Sequence, residues 1–128
     1  MSKEENQNPF QNQRDIMMAW GQSVDRFNIE QTCLYLDLIE EEYQETKESV
    51  VGTSASLDGL VDMLVVIIGA IYSMGIDPQE AWNRVYASNL SKIDPETGKV
   101  VKREDGKVMK PDSYFPPKLN DLVDHLKV

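Results

Sequence analysis

The sequence has one cysteine and one histidine among its 128 residues. Cys33 alone cannot close an internal disulfide, and no charged segment followed by an apolar run opens the chain. Export is therefore not expected, and the cytoplasm is the expected compartment. With no His or Cys cluster, zinc lacks a ligand set. A di-iron bundle lacks its Glu-x-x-His pairs, because His125 stands near the C-terminus without that spacing. Neither D-P-E-T-G nor R-E-D-G supplies the alternating oxygens of a calcium loop. Basic residues are also in deficit, 13 Lys and Arg against 22 Asp and Glu, for a net charge of -9. That balance speaks against binding a nucleic acid or an anionic membrane through bulk electrostatics. The longest apolar run, Met63 to Tyr72, is about half of the roughly 20 residues a membrane span requires, and Asp58 and Asp62 precede it.

A chain of this length with 41% hydrophobic residues is expected to form one domain with a real core. Residues 1–11 are polar and aperiodic and read as a flexible N-terminal arm, leaving 12–128 as a single all-α domain. Apolar residues at three- and four-residue steps (Ile16, Met17, Trp20, Val24) predict a helix over 12–25. A second helix should start after Asn28, with Gln31 reaching back in a capping box, and run to about Lys47. It should bury Ile29, Cys33, Leu36 and Ile39 or their neighbours. After a connection over Val50 to Ser56, the third helix, Leu57 to Met74, is apolar nearly all round and is expected at the centre of the structure, with Gly75 just past its end. D-P-Q-E, Asp77 to Glu80, spells the start of a fourth helix reaching about Lys92. Beyond Ile93 come turns and short extended runs, with Asp105-Gly106 marking a small hairpin or loop excursion. Pro116-Pro117 ends it, and a short helix follows to Leu126. The expected fold is a four-to-five-helix bundle with this C-terminal excursion. Charge is unevenly spread: Lys92 to Lys118 holds seven basic and five acidic residues, so an acidic body carries a mildly basic tail.

The second helix contains I-E-E-E-Y-Q-E-T, Ile39 to Thr46. At about 100° per residue, Glu41, Glu42 and Glu45 fall within one sector, with Glu48 beside them. Asp58 and Asp62, four apart, project together from the polar start of the third helix. Packed antiparallel across a short connection, the two acidic faces can meet, and converging carboxylates repel unless protonated or bound to cations. An oxygen-only set selects a hard cation, Mg2+ or Mn2+. An acidic solvent-facing surface is the alternative.

These residues resemble a known family, the MazG-like and phosphoribosyl-ATP pyrophosphohydrolase-like all-α nucleoside triphosphate pyrophosphohydrolases. The resemblance rests on E-E-Y-Q-E (Glu41 to Glu45), D-G-L-V-D-M-L-V-V-I-I-G (Asp58 to Gly69), G-I-D-P, V-Y-A-S-N-L-S-K and D-G-K-V-M-K-P-D-S-Y-F-P-P, and spans roughly residues 12–119. The family pattern is Glu-Glu-x-x-Glu followed by Glu-x-x-Asp. Here the residue three before Asp62 is Gly59, and Asp58 stands one position further back. The resemblance implies hydrolysis of a nucleoside triphosphate to a monophosphate and pyrophosphate. It implies Glu42, Glu45, Asp62 and Asp58 as metal ligands and Glu41 as the group that orients or deprotonates water. It further implies Asn89 and Lys92 as nucleotide or phosphate contacts, and an oligomer, dimer or tetramer. Tyr86 stands three residues before Asn89 on the same helix, and Lys110, in the basic excursion, is placed to offset the repulsion between an acidic body and a triphosphate. Trp20 reads as core or as a platform for a base, the latter inclining the expected substrate toward a purine deoxynucleotide. The other readings are a non-catalytic helical interaction protein whose acidic face binds a basic partner, and the same fold acting on phosphoribosyl-ATP or dUTP.

Overall fold

The computed structural model describes residues 8–126. Most of the stretch expected as an arm, residues 1–7, lies outside the described residues. The fold is all-α: α1 (Pro9–Ala19), α2 (Ile29–Glu48), α3 (Ser54–Ser73), α4 (Pro78–Leu90) and α5 (Asn120–Val123), followed by a 3-10 turn (Asp124–Leu126). The chain divides into two compact units, Met1–Pro78 and Gln79–Val128.

In the first unit, α1 begins earlier than its apolar periodicity indicates, because Asn8 accepts the N–H of Gln11 at 2.8 Å and Pro9 occupies the first turn. It also ends earlier, at Ala19, where Gly21 takes φ 75. Asn28 caps α2 as expected, accepting the N–H of Gln31 at 3.0 Å. Gln31 has a different task from closing a capping box. Its amide donates to Ser23 O and to Ser73 Oγ, both at 2.8 Å, and accepts the Ser23 N–H at 3.0 Å. One side chain thereby joins the α1–α2 connection to the far end of α3. The Asn28 N–H bonds instead to Ser73 O at 2.8 Å. Past Met74, the N–H groups of Gly75 and Ile76 bond back to Tyr72 O and Ile71 O, the paired bonds that close a helix C-terminus. A side chain at Gly75 would strike the backbone of Arg26 and Phe27.

Helices α2 and α3 form an antiparallel hairpin whose register can be followed residue by residue. Gln31 meets Ser73. A Cβ at Gly69 would run into the Tyr35 ring, and one at Gly59 into Thr46. The two numbers in each pair add to about 104, as expected of antiparallel helices meeting along one seam. On α2 the seam is Thr32, Tyr35, Ile39, Glu42 and Thr46, continued by the cap residue Ser49; each is buried or half-buried, at alternating steps of three and four. The burial expected at Ile29, Cys33 and Leu36 is therefore displaced around the helix. Ile29 and Leu36 are 62% and 54% exposed, and Cys33 is exposed too. Tyr35, 3% exposed, fills the core in their place, joined by Met17, Val24, Ile68, Ala70 and Tyr72.

The central position expected for α3 is not what the structure shows. One face packs on α2 and, to a smaller extent, α1, but Leu57, Leu60, Leu64 and Ile67 on the opposite face are all exposed. Two helices cannot surround a rod, so an all-round apolar sequence leaves one stripe uncovered. By length and composition α3 also passes for a membrane span, although Asp58 and Asp62 lie in its first half.

Helix α4 begins at Pro78 as expected, and its remaining residues, from Gln79 on, belong to the second unit. Glu80 accepts the Arg84 Nε–H at 2.9 Å, and the same guanidinium donates to Lys118 O and Asp121 Oδ1, fastening α4 to the chain around α5. The excursion is tied by a single antiparallel bridge between Lys102 and Val108 and turns at Gly106, φ 89. Among the described residues it contains no strand.

Candidate functional site

The register places Glu42 opposite Asp62 inside the α2–α3 seam, and both are half-buried. Beside Glu42 on α2 sit the exposed Glu41, the preceding residue, and Glu45, one turn on, and one turn before Asp62 on α3 sits the exposed Asp58. Taking each seam residue as zero, Glu45 and Glu41 lie about 60° and 100° to one side on α2, and Asp58 about 40° to the same side on α3. The hairpin thus has an acidic flank. Its other flank is a groove of about 720 Å³ lined by Tyr43, Lys47, Leu60 and Met63 among others, and carries none of these carboxylates.

Electrostatics agrees with this geometry. The Glu42 carboxyl is pushed above its ordinary value, first by burial, then by the negative charges of Asp62, Glu45, Glu41 and Asp58, in that order. Each of the other four carboxylates expected from the sequence thus lies near enough to act on the charge of Glu42. Among the described residues no three His, Cys, Asp or Glu side chains stand close enough together to grip a metal as they are. The donor chemistry nonetheless fits a hard cation: the groups are all oxygen, four of them raise Glu42 by their charge, and three of those are exposed on helix surfaces.

Gly59 has a structural cause. A Cβ there would lie 3.0 Å from Thr46 Cβ and closer still to Thr46 Oγ1, which is held by its bond to Glu42 O at 2.7 Å. A glutamate side chain at this position would have to displace Thr46. Asp58, one residue earlier, carries its carboxylate out to the flank.

The remaining residues are distributed differently. Trp20 does not enter the core; it caps α1 and is 68% exposed. Tyr86 is 54% exposed and Asn89 is exposed, both on α4. Lys92 and Lys110 are brought together around a residue that sequence reasoning passed over: their ammonium groups lie 6.0 Å and 5.0 Å from the centroid of the Tyr114 ring. The signal was available in K-P-D-S-Y-F, where a tyrosine stands four residues after Lys110. The chain matches no protein-family model and no curated protein significantly.

Proposed function

We propose that this protein is a Mg2+-dependent nucleoside triphosphate pyrophosphohydrolase, with Mn2+ as a substitute, that converts a free deoxynucleoside triphosphate to the monophosphate and pyrophosphate in the cytoplasm. The observation that supports it is the carboxylate cluster focused on Glu42, set in the α2–α3 seam where the charge needs a cation to offset it. Glu42, Asp62, Glu45 and Asp58 are the residues that would hold the metal, and Glu41 orients the attacking water or takes its proton. A bound divalent ion supplies charge neutralisation at the phosphates and a more acidic water. Asn89, Lys92 and Lys110 contact phosphate oxygens. Tyr86 and Trp20 are the aromatic contacts to the nucleoside, and the exposed indole favours a purine.

The α3 helix is read as a packing helix and not a span, because Gly59 and Gly69 receive α2 side chains and Asp62 lies within its seam. Its exposed stripe, Leu57, Leu60, Leu64 and Ile67, supports assembly as a homo-oligomer, a dimer or tetramer. The test is pyrophosphate release from a panel of triphosphates, with dUTP and phosphoribosyl-ATP included, with and without Mg2+. Reaction in oxygen-18 water should place the label on the monophosphate. Orthophosphate as the first product, or label in pyrophosphate, refutes attack at the α phosphorus. Failure to turn over any of these compounds leaves a helical interaction protein instead.

A further inference from the structure

The second unit holds an arrangement that simple surface lysines do not have. Tyr114 is half-buried, and the residues on either side of it are hydrogen-bonded to the end of α4. Ser113 Oγ donates to Ser91 O at 3.1 Å, the Phe115 N–H donates to Ser91 Oγ at 3.0 Å, and Ser88 Oγ donates to Phe115 O at 2.8 Å. The Tyr114 N–H itself donates to Pro111 O at 3.0 Å. These bonds fix the backbone that carries the ring. Lys92 approaches the ring from the residues just after α4 and Lys110 from the returning excursion.

A lysine on a flexible stem is normally a diffuse charge, and two of them separate to reduce repulsion. Here one ring quadrupole attracts both, so that each ammonium lies within 6.0 Å of the same ring centroid. Among the described residues neither Lys92 nor Lys110 has an acidic side chain within ion-pair distance, so their charge is not cancelled internally. The Tyr114 hydroxyl makes no hydrogen bond among the described residues and is available as a donor. Two uncompensated ammonium groups and a phenol O–H, gathered on one fixed ring, match an anion with several charges spread over more than one centre.

We infer that Lys92, Lys110 and Tyr114 form a binding site for condensed phosphate, the diphosphate or triphosphate moiety of a ligand, in which Tyr114 positions the two lysines and donates a hydrogen bond of its own. The inference rests on the reading of Lys92 and Lys110 as phosphate contacts. It adds Tyr114 as the residue that makes one site of them.

Calorimetry of the full chain with inorganic pyrophosphate, in chelator so that no divalent metal contributes, tests it. Tyr114→Leu should weaken binding by about tenfold or more, because the lysines lose the ring that gathers them. Tyr114→Phe keeps the ring and its packing and should weaken binding by only about threefold, through the lost hydroxyl. By NMR, the ε-methylene protons of Lys92 and Lys110 should be displaced by the ring current, should move on adding pyrophosphate, and should lose that displacement in Tyr114→Leu. Absence of pyrophosphate binding by the parental chain overturns the inference. So does parental affinity in Tyr114→Leu with its helical circular dichroism intact. Should that variant not fold, unshifted and unresponsive lysine protons in the parental chain refute it equally. Pyrophosphate binding that depends on Tyr114 in a protein that hydrolyses no triphosphate would uphold this site and discard the enzymatic reading. Hydrolysis together with Tyr114-independent binding would do the reverse.

Discussion

Replacing Gly69 by Ala adds one methyl where the α2–α3 seam closes on the Tyr35 ring. In an unhindered helix the change should stabilise by about 1 kcal/mol, since glycine is the poorer helix former. Here the new Cβ would stand 2.6 Å from Cζ and 2.7 Å from Cδ1 of Tyr35, roughly 1 Å inside ordinary contact. The ring cannot retreat freely. It is 3% exposed, and its hydroxyl donates to Gln22 Oε1 at 2.6 Å. Overpacking of this kind costs about 1–3 kcal/mol, and the seam must also part along its length to relieve it. The net expectation for Gly69→Ala is a loss of about 1–2 kcal/mol, a fall in Tm of about 4–8 °C. Thermal and urea unfolding at one fixed protein concentration measure it. In a Tyr35→Leu background the same change should be neutral or stabilising, giving a coupling of at least about 1 kcal/mol in the double-mutant cycle. A higher Tm for Gly69→Ala in the parental chain refutes the register, and with it the placing of Glu42 against Asp62.

The carboxylate cluster makes a second expectation with a defined sign. Because the folded state raises Glu42 above its ordinary value, folding binds protons there, and the destabilisation grows as pH rises from the ordinary carboxylate range through the folded value. Glu42→Gln should therefore raise metal-free Tm at neutral pH, with the gain vanishing in acid, while abolishing activity and weakening Mg2+ or Mn2+ binding by calorimetry. Asp62→Asn should likewise abolish activity and weaken metal binding, and undiminished metal binding in both variants would defeat the assignment. Lys92→Ala should lower the specificity constant for a triphosphate by at least about tenfold, roughly 1.4 kcal/mol, with helical content unchanged. A parental specificity constant would remove Lys92 from the site. Leu64→Lys, at a position 58% exposed on the outer stripe of α3, should lower the mass seen by light scattering to that of a smaller assembly. A parental chain that is already monomeric contradicts the oligomer.

Helix existence and order were legible because the signals were local. Asn28 and the Pro78 start act within one turn of the residues they affect, and Gly75 ends α3 where its backbone freedom is needed. The start of α3 was missed: Thr53 caps it and the helix begins at Ser54, inside the stretch expected as a connection and three residues before Leu57. Which face each helix buries was less legible. Ile29, Cys33 and Leu36 form a plausible apolar stripe, but the helix is rotated so that Tyr35 enters the space left by Gly69. A glycine notch and an aromatic thirty-odd residues apart leave no periodic signature. The same cause explains Gly59: its meaning lies in Thr46, on another helix. The shared acidic flank was readable because spacing on each helix and the short connection between them place the other four carboxylates near enough to act on Glu42, although among the described residues no three of them stand close enough to grip a metal. Tyr114 was not, since its significance comes from chain return after the excursion and from serines at the end of α4.

The order of contacts along the α2–α3 seam has a kinetic consequence. Thr46 and Gly59 flank the turn and are close in sequence, Glu42 and Asp62 come next, and Gln31 reaches Ser73 only across a separation of 42 residues. A hairpin that closes outward from its turn forms its shortest loops first, because their closure costs least entropy. It must then bring two carboxylates together before Tyr35 can dock on Gly69 and repay the cost. The acidic pair thus acts as a brake on zippering as well as a burden on the finished fold. Refolding should quicken as pH falls through the Glu42 titration, and added divalent cation should speed it in the parental chain while leaving Glu42→Gln, already fast, almost unmoved.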